Sequence, residues 1–133
     1  MTKRLRQIAV TLENLSSIVE DLHYGPYSRF WWNFSEETIF PIRLGQRSKA
    51  SINERNFYTT VQIEENSLKP QFHCQCEEFN ATATNSTKAV SDVYKQMFHN
   101  NTRYSGHCVM GWNHNDIQNI LRKDIEVFLL FLW

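Results

Sequence analysis

Apolar residues recur from the amino end at intervals of three, four, three, four and three: Leu5, Ile8, Leu12, Leu15, Val19 and Leu22. That spacing keeps one stripe on one side of an α-helix and predicts a helix over residues 2–23, ended by Tyr24-Gly25-Pro26. A stripe lasting about three heptads also meets the requirement of a short coiled coil, and Asn14 beside the seam does not break it. The six stripe residues are therefore candidates for a dimerisation helix, with a helix lying on its own domain as the plainer reading of the same spacing.

The next segment, residues 27–40, holds six aromatic residues in fourteen positions without a clean period. It reads as an aromatic linker whose rings pack on a sheet, the exposed binding patch being the sharper alternative. A period of two then takes over. Phe57, Thr59, Val61 and Ile63 share one face of a predicted strand over 57–63, and Phe72, Cys74 and Cys76 share one face of a second over 71–77. The turn-rich Glu64–Pro70 stretch between them predicts an antiparallel hairpin.

Period 3.6 returns at about 86–98, where Ala89, Val90, Val93, Tyr94 and Met97 line one helical face behind cap oxygens in Thr84–Thr87; His99-Asn100-Asn101 ends it. A short strand is expected at Cys108-Val109-Met110, terminated by Gly111, followed by a last helix carrying Ile117, Ile120 and Leu121. The tail Ile125–Trp133 reads as a buried strand, too short to span a bilayer. The predicted fold class is α+β: an antiparallel β-sheet with helices packed on it, preceded by the amphipathic helix, with domains at 1–23 and 24–133.

At 133 residues and 41% hydrophobic composition, one core is the expectation. Fourteen basic and fourteen acidic residues cancel, which argues against nucleic acid as a direct ligand and against an anionic membrane. Locally, Arg43, Arg47, Lys49 and Arg55 cluster before the central strands, a solvated basic face by default. The amino end lacks the apolar run of a signal peptide, so reduced thiols are expected for Cys74, Cys76 and Cys108. Glycosylation sequons, among them those beginning at Asn33, Asn80, Asn85 and Asn100, point the other way, towards secretion.

The order of these segments resembles the FY-rich (FYR) module, whose amino and carboxyl halves occur together or apart in chromatin-associated proteins. Over roughly residues 39–121, Phe40-Pro41-Ile42-Arg43-Leu44-Gly45 is similar to the family's aromatic-Pro opening, and Arg47, Ser48, Ala50 and Ser51 to its basic and small-residue stretch. Phe57–Ile63 and Pro70-Gln71-Phe72 follow as strands, Thr84–Tyr94 as the Ser/Thr-led helix, and Ser105-Gly106 with Met110-Gly111-Trp112 as the small-residue turn before the last helix, where Ile117 and Ile120 form the apolar face. The second aromatic and Gly that usually follow the opening Pro are missing here, as is the Leu-Pro-Gly-Ala-like turn after the last helix. The resemblance implies one α+β unit, a protein partner in a transcription-regulating assembly, and a nuclear location, with the cytoplasm as alternative.

Catalytic chemistry is not expected. Cys74-x-Cys76 and His107-Cys108 do not have the spacing of zinc ligand pairs, and strand neighbours such as His107 and Cys108 point to opposite faces. The acidic pairs Glu36-Glu37, Glu64-Glu65 and Glu77-Glu78 read as solvated turns, and the four glycines stand too far apart for a phosphate loop. The sequence thus predicts a non-enzymatic interaction module without metal or cofactor. Its candidate partner contacts are Trp31, Trp32, Phe34, Arg43, Arg47 and Lys49, since binding anchors are commonly Trp, Tyr and Arg. A structural homodimer through residues 2–23 is the second expectation, and a zinc- or Cys-dependent protein the third.

Overall fold

The computed structural model describes residues 9–16, 18–34, 39–99, 102 and 104–122. The predicted hairpin forms the middle of a five-stranded antiparallel sheet. β1 (Ala9–Asn14), β4 (Arg47–Ile52), β5 (Arg55–Ile63), β6 (Pro70–Cys76) and β7 (Phe79–Ala83) are neighbours in that order. β2 (Trp32–Phe34) and β3 (Ile39–Pro41) pair separately as a two-stranded ladder. Register in the central hairpin places Val61 opposite Phe72 and Thr59 opposite Cys74. Phe57, Thr59, Val61, Phe72, Cys74 and Cys76 are all buried, so the period-two reading of both strands holds.

The expected helix over 2–23 is corrected over the described residues. Leu12 lies in β1, opposite Ser48, and the ladder there shifts register between Leu12 and Asn14. The segment Ala9–Asn14 carries a second pattern beneath the helical one: Val10 and Leu12 are half-buried while Ala9, Thr11 and Glu13 are exposed. Ser16 then enters the left-handed region, φ 64°, with its hydroxyl on the Leu44 carbonyl, and Asn14 Nδ2 donates to Gly45 O at 2.9 Å. Only Glu20–His23 (α1) is helical. Leu15, Val19 and Leu22 pack on the domain's own core, which removes them from a zipper seam, while Leu5 and Ile8 lie outside the described residues.

α2 (Ser86–Phe98) matches the predicted helix. Asn85 Oδ1 accepts from Lys88 N at 2.8 Å as its N-cap, and His99 closes it in the left-handed conformation at φ 57°. Its stripe of Ala89, Val90, Val93 and Tyr94 lies on β6 and β7 and shares one hydrophobic interior with Phe57, Val61 and Phe72 of the sheet. α4 (Asn115–Arg122) adds Ile117 and Leu121 to the same interior.

The expected strand at Cys108–Met110 is instead a helical turn, α3 (Gly106–Val109). Its start is pressed against α2: Gly106 N donates to Thr87 Oγ1 at 2.8 Å, and a Cβ at 106 would overlap the Ser86 hydroxyl and stand 2.6 Å from Thr87 N. A strand there would have to run past α2 without this contact. The tail Ile125–Trp133, expected as a strand, lies outside the described residues.

Candidate functional site

The sheet leaves two surfaces of different character. Its far side is polar, with Arg47, Lys49, Tyr58, Thr60, His73 and Gln75 on adjacent strands in register. At its end, where the β5–β6 turn meets the start of α2, lies a hollow of about 480 Å³. That volume falls within the range of roughly 300–1,000 Å³ typical of ligand pockets.

Apolar side chains from distant parts of the chain build its wall: Phe30, Ile42, Pro70, Phe72 and Trp112. Phe40 and Phe72 hold the Trp112 ring, with centroids at 5.6 and 6.2 Å. The β5–β6 turn is fixed from beneath, because Trp31 Nε1 donates to Leu68 O at 2.9 Å. Within the turn, Ser67 N donates to the Glu64 carboxylate at 2.6 Å, and this bond holds the Glu64 pKa below the usual carboxylate value. At one rim, Lys69 Nζ stands 4.5 Å from the centroid of the Phe30 ring. At the other rim lie Thr84 to Thr87, the cap and first turn of α2, the end of a helix that carries a partial positive charge.

The candidate contacts read from sequence do not form one surface. Trp31 and Trp32 are buried, 0% and 9% exposed. Their indole N–H groups are spent on Leu68 O and on His23 O, the latter at 2.8 Å, so neither ring is an exposed anchor. Arg43 is also 0% exposed. It donates through Nη2 to Leu121 O at 2.8 Å and through Nη1 to Ser16 O at 3.3 Å, tying the end of α4 to the turn after β1. This guanidinium is a structural clasp, removed from the basic face. Arg47 and Lys49 do lie on the open side, Arg47 over the Tyr58 ring at 4.6 Å and 3.9 Å from Glu13. Phe34 sits in β2 opposite Ile39.

Cys74 and Cys76 lie side by side on the core face, and burial pushes the Cys74 thiol up to about 12 although the Thr59 hydroxyl pulls the other way. A thiol so placed is no nucleophile at neutral pH. Among the described residues no group of three or more His, Cys, Asp or Glu side chains gathers where a metal could sit, and no helix is long and apolar enough to cross a membrane.

Sequence reading missed Phe30, Lys69 and Trp112 as site residues. Trp112 was visible only as part of the small-residue turn, and Thr84–Thr87 only as a cap. In comparisons with known proteins, the chain matches no protein-family model, no curated protein and no solved structure.

Proposed function

We propose that the chain is a non-enzymatic protein-interaction module, similar in kind to FYR domains, that recruits or holds a partner in a transcription-regulating assembly in the nucleus. One observation carries the recognition reading: a hollow with a wall of Phe30, Ile42, Pro70, Phe72 and Trp112 lies where the β5–β6 turn meets the start of α2, and the rest of its lining is polar. Apolar pockets with a few convergent polar groups are where binding energy concentrates. The chromatin setting is supported only by the resemblance of the Phe40–Trp112 segment order, which is an analogy of fold.

Thr84 is exposed at the rim, so Thr84→Trp plugs the mouth without touching the core. Proximity labelling in cells with the whole chain fused to a biotin ligase tests the reading. Wild type is expected to mark a defined set of nuclear proteins that Thr84→Trp loses and that Gln75→Ala, on the open sheet side, keeps. Identical sets for wild type and the plugged variant would refute it, and a cytoplasmic set would overturn the nuclear assignment alone.

A further inference from the structure

We draw no further inference here: the strongest candidate, the polar side of the five-stranded sheet where Arg47, Lys49, Tyr58, Thr60, His73 and Gln75 stand in register, has its Arg47 guanidinium engaged by the Tyr58 ring and Glu13, and nothing among the described residues shows what covers it.

Discussion

Replacing Gly106 by Ala adds one methyl group where α3 rests on the start of α2, and the structure gives the size of the effect. The new Cβ would overlap the Ser86 hydroxyl, in a side chain that is itself buried, and would stand 2.6 Å from the main-chain nitrogen of Thr87. A side chain could swing aside, but a backbone nitrogen in a capped helix cannot. Relief must come from separating α3 from α2, which stretches the 2.8 Å bond from Gly106 N to Thr87 Oγ1. Overpacking of this kind costs about 1–3 kcal/mol, and loss of a hydrogen bond adds about 1 kcal/mol. The greater helix propensity of Ala returns roughly 0.5–1 kcal/mol. The net loss is about 1–3 kcal/mol. In urea unfolding, with a slope of about 1–3 kcal/mol/M for a small domain, the midpoint should fall by roughly 1 M while the slope is unchanged. Adding Ser86→Ala should recover part of the loss, because the hydroxyl clash disappears and the Thr87 contact remains. A midpoint for Gly106→Ala unchanged within about 0.2 M would refute this close packing, and with it the placement of Thr84–Thr87 on the rim of the hollow.

Four further outcomes follow from the same geometry. His23 is buried and neutral, accepting Val19 N–H at Nδ1 and donating from Nε2 to Ile42 O at 2.9 Å; burial, chiefly, lowers its pKa below the ordinary value of 6.5. The unfolded chain then takes up its proton first, so stability is full above about pH 6.5 and falls as pH drops through the lower folded value; a thermal-unfolding pH series should show this loss, and His23→Gln should flatten it. Glu54 occupies a left-handed conformation, φ 64°, in the two-residue turn joining Ile52 to Arg55, so Glu54→Gly should raise stability by up to about 1 kcal/mol in urea unfolding. Asn85→Ala removes the cap of α2 and should cost about 1 kcal/mol by the same assay. Alkylation at pH 7.5 followed by mass spectrometry should modify the half-exposed Cys108 in the native protein and leave Cys74 untouched until denaturant is added.

Elements whose inner face carries large apolar residues were legible from sequence. β5, β6 and α2 fall in that class, because Phe57, Val61, Phe72, Val90 and Val93 write the period directly. β4 does not: its core-facing positions are Ser48, Ala50 and Ile52, and Ser48 is admitted to the interior by donating its hydroxyl to Met110 O at 3.2 Å. β7, whose inner face holds Phe79 but otherwise only Ala81 and Ala83, is nearly as quiet. β1 was misread because Leu12 belongs at once to a helical stripe and to an alternating one, and pairing with β4 decided for the strand. Trp31, Trp32 and Arg43 were candidate partner contacts as typical binding anchors, with packing on a sheet the plainer expectation for the two rings, yet the carbonyls they donate to belong to Leu68, His23, Ser16 and Leu121, none of which local pattern connects to them. The hollow was hidden for the same reason, since its wall is drawn from residues 30, 42, 70, 72 and 112.

The proposed function requires that a partner dock in the hollow. The most direct measurement is a titration of the isotope-labelled chain with a nine-residue peptide carrying one central Trp, followed by amide chemical shifts. Shifts should concentrate on the β5–β6 turn, on Thr84–Thr87 and around Trp112, with the indole N–H of Trp112 among the most affected. Shifts confined to Arg47, Lys49, Tyr58 and His73 on the open side of the sheet would contradict it.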